Sequence, residues 1–286
     1  MNGIDIEHLR QWVGRQRVSE DSLQPFSAQT LASALDKNLS LKTGELLPAG
    51  WQWLYFVDPP SAANTGPDGH SQLSDHQKSF LPPTPLPRRM WAAGSLQIER
   101  PLRLGYSATR LSTICSVNAK SGKSGSLIFV TLDHQTSQEG RLCLREEQNL
   151  VYREMPTAPE PLAFGELAPT EADWSRTVSP DPVLLFRYSA LTYNSHRIHY
   201  DRDYAVQHEF YPALVVQAPL LAILLLDLVS TNLHDAKIAS FQFRAVRPTF
   251  DTHAFTVNAK RLGDNLKLWS ADHEGNLCMR ATARLV

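Results

Sequence analysis

Leu214–Val229 reads LVVQAPLLAILLLDLV. A helix drawn through this stretch is apolar on every side, so every side must be covered by other parts of the chain. It is too interrupted to span a bilayer. Gln217, Pro219 and Asp227 leave about 12 apolar residues in Val215–Val229, where a bilayer needs roughly 20. The expectation is a buried core helix with a curved sheet wrapped around it. Four strand-like runs after the helix supply that sheet: IASFQFRAVRP, HAFTVNAKRL, NLKLWSADH and NLCMRATARL, with turns at Gly263-Asp264-Asn265 and Glu274-Gly275-Asn276. In the first run Phe241, Phe243 and Ala245 alternate with Gln242, Arg244 and Val246, so one face of the strand is apolar.

Upstream, residues 3–14 and 22–36 look helical, with Ser27 as a candidate cap for a face carrying Leu31, Ala34 and Leu35. Asp58–Arg89 is a loop region rich in Pro, Gly, Ser and His, because its prolines fix φ and remove ladder donors. SLQIERPL, YSATRLSTICSVNAK, SLIFVTLDH and RLCLREEQNLVYR then read as strands, divided at Gly105, Ser121–Gly125 and Gln135–Gly140. Residues 154–180 carry Pro, Ala and Glu with little periodicity and read as a linker; Val183–Ser189 reads as a further strand. LQIERPLRLGYSATRL resembles FQFRAVRPTFDTHAFTV: a strand, then Arg-Pro, then a turn and another strand. Two copies of one antiparallel sheet therefore fit, with domains expected at 1–153 and 181–286. The first copy lacks a comparably greasy helix.

A net charge of −1 and a pI near 6.8 give no electrostatic case for nucleic acid or an anionic membrane. Cys115, Cys143 and Cys278 are odd in number and far apart, with no CxxC pair, so a reducing cytoplasm and buried packing are expected.

The chemistry concentrates just before the helix. Thr192–Asp201 reads TYNSHRIHYD, with two imidazoles, a guanidinium, an amide and a carboxylate beside a greasy element. That combination suggests a dry pocket for acid–base work. His196 and His199 near Asp201 can also be read as a metal site, but the spacing is not a zinc pattern and the cysteines are remote. No metal is expected. Asp201 suits the cap of a short helix starting at Arg202.

The same ten residues resemble the signature of the MaoC-like, R-specific enoyl-thioester hydratases: Gly-Asp, one residue, Asn-Pro, one residue, His. Laid on this chain, the signature His falls on His199 and the Asp on Asn194, while His196 and Arg197 replace Asn-Pro. SALTYNSHRIHYD, LVVQAPL and FQFRAVRP resemble more closely the itaconyl-CoA and mesaconyl-CoA hydratases and related 3-hydroxyacyl-thioester dehydratases. DGH followed by LPPTPLPRRMWAAGSL is similar to the first domain of that subgroup, so the resemblance spans about residues 25–286. It implies an α+β double hotdog, each antiparallel sheet wrapped on a central helix. It also implies a hydro-lyase that needs no cofactor beyond the coenzyme A of its substrate. Two departures stand out: Asn194 cannot titrate, and Gln217-Ala218 replaces the His-Gly usual at the start of the helix.

On this resemblance His199 is the expected base, neutral enough near pH 7 to take a proton from water, and Asn194 holds the water. The amide end of the helix at Gln217 and Ala218, with Pro219 just inside, would steady an enolate oxygen. Arg197 and His196 would meet the substrate, Arg197 by clamping a free carboxylate. Arg88, Arg89 and Trp91 suit the phosphates and adenine of coenzyme A; Asp68-Gly69-His70 reads as an exposed turn. The leading expectation is reversible hydration of itaconyl-CoA or mesaconyl-CoA to citramalyl-CoA. Dehydration of straight-chain 3-hydroxyacyl thioesters, a thioesterase, and a non-catalytic acyl-CoA-binding scaffold stay open. Sheet edges suggest a homodimer.

Overall fold

The computed structural model describes residues 4–72, 79–122, 125–159, 162 and 165–286. Parts of the expected first helix, proline-rich loop, Ser121–Gly125 turn and linker lie outside those residues.

The first half runs α1 (Ile6–Arg10), β1 (Gln16–Asp21), α2 (Pro25–Ala34), then β2 (Arg88–Ile98), β3 (Ala108–Gly122), β4 (Gly125–Gln138) and β5 (Arg141–Arg153). The second runs β6 (Trp174–Val178), α3 (Pro182–Leu191), α4 (Arg202–Gln207), α5 (Ala218–Asn232), then β7 (Ile238–Ala245), β8 (Phe255–Leu262), β9 (Asn265–Ala271) and β10 (Leu277–Leu285). All ten strands form one sheet in the order β1-β3-β4-β5-β2-β7-β10-β9-β8-β6. Each half has the same internal order, first-third-fourth-fifth-second, and the two meet where β2 pairs antiparallel with β7 from Ala93↔Arg244 to Gln97↔Ser240. This is the double hotdog.

Leu220–Val229 of α5 is buried without a break, packed on β8, β9 and β6. Asp227, the acidic residue in this apolar rod, is buried between Lys37 Nζ (2.8 Å) and Arg176 NH1 (2.6 Å), which offset the cost of removing its charge from water. In the first half, the segment between α2 and β2 holds a 3-10 turn at Trp51–Leu54 and no long helix among the described residues. The inner faces of β2, β4 and β5 are left to line a cavity.

Three sequence expectations are corrected. Val183–Ser189 is helix, because Asp181 accepts from the Leu184 N–H at 2.8 Å and Pro182 is pre-set for the first turn. An apolar run this short does not reveal its period, so the cap was the informative signal. Ser27 lies inside α2, which starts at Pro25 with no side-chain cap. Trp174–Val178, placed in the linker, is an edge strand paired with β8. Asp201 does cap α4, accepting from the Tyr204 N–H at 3.0 Å.

Candidate active site

The turn from Asn194 to His199 is built by tight local bonding. The Asn194 N–H donates to Ser189 O (2.8 Å), and Asn194 Oδ1 accepts from the His196 N–H (3.2 Å). A 3-10 turn, Arg197–His199, then lies beside the chain entering α5, where the Val215 N–H donates to Ile198 O at 3.0 Å. This pins His199, which is buried. Its Nδ1 is 2.7 Å from Val215 O; a carbonyl only accepts, so Nδ1 carries the hydrogen and the neutral ring keeps its lone pair on Nε2. Burial, then the charge of His196, hold its pKa down at about 3.

His199 and Asn194 face one cavity of about 1200 Å³, together with Ala218 and Pro219 at the start of α5. No side chain caps that helix, and Leu221 is the residue whose N–H first reaches back, to Gln217 O at 3.1 Å. The amide end and its positive dipole are therefore open toward the cavity.

His196 sits edge-on to His199 with ring centroids 5.5 Å apart, and its Nε2 lies 2.8 Å from Glu209 Oε1. The other Glu209 oxygen accepts from Arg88 Nε at 2.7 Å, and Arg88 stacks over Tyr211 at 4.5 Å. All three charged or imidazole groups are buried. His70 packs on the other face of His196, centroids 4.2 Å apart, with Nδ1 2.8 Å from Asp68 Oδ2. Burial first, then the Arg89 charge, push the His70 pKa down; its bonds to His70 hold the Asp68 carboxylate low against the effect of burial. The result is an array of three imidazoles, two of them oriented by carboxylates. Asp68, His70 and His196 bring ligand atoms within 4.8 Å of one another. The Asp68–His70 bond brings two of them together, and the packing of the His70 and His196 rings brings the third.

Several expected site residues stand elsewhere. Arg197 is not on the cavity wall: it binds Asp201 Oδ2 (3.0 and 2.8 Å) and Pro67 O (3.0 Å) and stacks over Tyr204 at 4.2 Å. It tethers the loop carrying Asp68. The Gln217 side chain ties α5 to α3, its Nε2 donating to Leu185 O (2.9 Å) and Ser189 Oγ (3.0 Å); the role expected at Gln217 and Ala218 belongs to the backbone amides and does not depend on that side chain. Arg88 lines the cavity, but its Nε is held by Glu209. Arg89 and Trp91 do line the cavity, the Trp91 indole edge-on to Trp53 at 5.2 Å.

Asp68-Gly69-His70, expected as an exposed turn, is docked against the catalytic turn. Ser195 Oγ–H donates to Gly69 O (2.5 Å), and the Arg197 N–H donates to Asp68 O (2.9 Å). Gly69 has φ +91°, and a Cβ there would fall 1.7 Å from Ser195 O. Gly69→Ala is accordingly expected to cost about 3 kcal/mol and to displace His70. Chemical denaturation together with kcat checks this, and wild-type values for both would show the loop is not clamped. Glu209 was missed altogether: a lone carboxylate in HEFYPALVV carries no local pattern.

The double-hotdog sheet sets the architecture, and likeness to known sequences sets the class: the chain is a hydro-lyase of the thioester dehydratase class. It belongs to the hydroxyacyl-thioester dehydratase type 2 family, within the MaoC-like group: that family's sequence profile matches residues 50–251. The chain is 41 % identical over 276 residues, 96 % of each protein, to mesaconyl-C(4)-CoA hydratase of Chloroflexus aurantiacus. Among solved structures, a MaoC-like dehydratase from Phytophthora capsici superposes with a TM-score of 0.70 at 12 % identity, covering 99 % of this chain and 98 % of that one. A double-hotdog protein of Mycobacterium tuberculosis superposes at 0.59 with 14 % identity and 99 % coverage of both chains. These two share the fold. Among the described residues no helix is long and apolar enough to cross a membrane.

Proposed function

We propose that the chain reversibly hydrates a branched dicarboxylic enoyl-CoA, mesaconyl-CoA or itaconyl-CoA, to citramalyl-CoA. The observation that carries this reading is the buried His199, its Nδ1 bonded to Val215 O and its side chain on the wall of the cavity that Ala218 and Pro219 also line. The 41 % identity to a mesaconyl-C(4)-CoA hydratase supports the substrate class.

In this reading a water molecule rests between His199 Nε2 and the Asn194 side-chain amide, whose oxygen is already spent on the turn. His199 takes one proton as the water oxygen bonds to the β-carbon. The π electrons move onto the thioester oxygen, where the amide of Ala218 meets the developing charge. The same imidazolium then returns its proton to the α-carbon. One group performs both transfers, so position 194 need not titrate. Arg89 and Trp91 meet the phosphates and adenine of coenzyme A.

Loss of absorbance of the conjugated thioester, followed with mesaconyl-CoA and crotonyl-CoA, tests this. The dicarboxylic substrate is expected to have the higher kcat/KM by at least about 10-fold, the scale of one charge-assisted contact. Equal turnover of both would remove the dicarboxylate assignment and favour a straight-chain dehydratase. Release of free thiol would mean a thioesterase, and tight binding with no change in absorbance a non-catalytic binder.

A further inference from the structure

The cavity that His199 lines is also lined by the first half of the sheet, where polar groups stand among Leu132 and Leu150. Arg110 of β3, His134 of β4, and Glu146 and Gln148 of β5 all face it, with Trp53 from the 3-10 turn. A pocket made only for alkyl tails would be lined by Leu and Phe here. The polar groups are held in place: Trp53 Nε1–H donates to Glu146 Oε1 (2.9 Å), and His134 bridges Ser112 Oγ (2.7 Å) and Gln148 Oε1 (3.2 Å).

Arg110 is the exception. Its NH2 donates to Phe56 O (3.1 Å) and its guanidinium stacks over the Phe56 ring at 4.7 Å, but among the described residues no carboxylate lies within ion-pair distance. Its Nε is buried with no hydrogen-bond partner. Glu146 does not serve as a full counter-ion: burial, opposed by its bond from Trp53 and by Arg110, lifts its pKa to about 7. A desolvated cation with an idle donor is costly unless an anion arrives to meet it. Tyr188 lines the same space, its hydroxyl buried without a partner, and its pKa is raised by burial and by the charge of Glu146. Tyr188 lies on α3, in the last turn before the chain leaves the helix toward Asn194.

We infer that Arg110 is the receptor for the free carboxylate of a dicarboxylic acyl chain, bound while the thioester lies against α5. This rests on the dicarboxylic reading above and names the group that enforces it, a role expected from sequence at Arg197 and not found there. The geometry also explains discrimination: a straight alkyl tail would bury Arg110 further and leave it without an anion, a penalty the dicarboxylate removes.

Binding of saturated analogues tests this without any turnover. Isothermal titration calorimetry with methylsuccinyl-CoA and butyryl-CoA is expected to show wild-type protein preferring the dicarboxylic ligand by about 100-fold. In Arg110→Met that ratio should collapse toward one through weaker binding of methylsuccinyl-CoA, and Arg110→Lys should restore part of it. A wild-type ratio near one, or a ratio unchanged in Arg110→Met, would overturn the assignment; so would an equal loss for both ligands in Arg110→Met and Arg110→Lys proteins of wild-type melting temperature. Hydration is read separately by absorbance. A retained ligand preference without hydration would sink the proposed reaction and leave this subsite standing.

Discussion

His199→Gln is expected to lower kcat for enoyl-CoA hydration by about 10²–10⁴-fold while the protein keeps its fold. The ring does three things that an amide cannot do together. It bonds Val215 O through Nδ1, presents a lone pair on Nε2, and carries the proton between water and carbon. Circular dichroism and thermal melting distinguish the chemical effect from a folding defect, since glutamine fills much of the same volume. The pH dependence offers a second check. With its pKa held at about 3, the ring is neutral above that value, so acidification from pH 7.5 to 5 leaves the base form intact. An unperturbed imidazole would lose half of that form at about 6.5. Negative charge building on the thioester oxygen favours the imidazolium only in the transition state, where it is needed. A fall in kcat centred near pH 6.5 would show a solvated ring and remove the dry base from the mechanism.

The second large effect is structural. Glu209→Ala is expected to destabilise the protein by about 3–5 kcal/mol, because it leaves Arg88 buried without its counter-charge and frees His196. That is a large part of a total stability of about 5–15 kcal/mol. Urea denaturation of wild type, Glu209→Ala and Arg88→Met/Glu209→Leu separates charge from packing. The double variant should recover most of the stability, since apolar pairs often replace buried ion pairs without loss, yet its hydration rate should stay low because His196 has lost its anchor. Wild-type stability in Glu209→Ala would mean that water reaches the pair and that the Arg88–Glu209–His196 chain is not dry. Equal recovery of stability and rate in the double variant would reduce Glu209 to packing.

The correspondence between sequence and structure divides along physical lines. Helix α5 was legible because ten consecutive residues, Leu220–Val229, carry their own burial pattern. Strands β7 to β10 were legible because period-two alternation and Gly-containing turns are local signals. The turn bearing Asn194 and His199 was legible because its residues are adjacent in the chain, and the structure places both in the cavity with Ala218. Helix α3 was not, because its apolar run is too short to show a period, and β6 was not, because an edge strand of five residues in a polar segment looks like loop.

By itself the sequence determined that a greasy rod must be wrapped by sheet and that a polar, histidine-bearing turn adjoins it in the chain; the choice of His199 came from the family resemblance. Both follow from patterns a few residues long, and such patterns survive in one dimension. Tertiary structure alone decided the company His199 keeps. His70 arrives from a loop in the first half, Arg88 and Glu209 meet across 121 positions of chain, and Arg110 faces the same cavity from β3. It also turned Arg197 away from that cavity. No local rule encodes these outcomes, because each depends on which strand edges pair and on where a side chain finds a partner once water has been excluded.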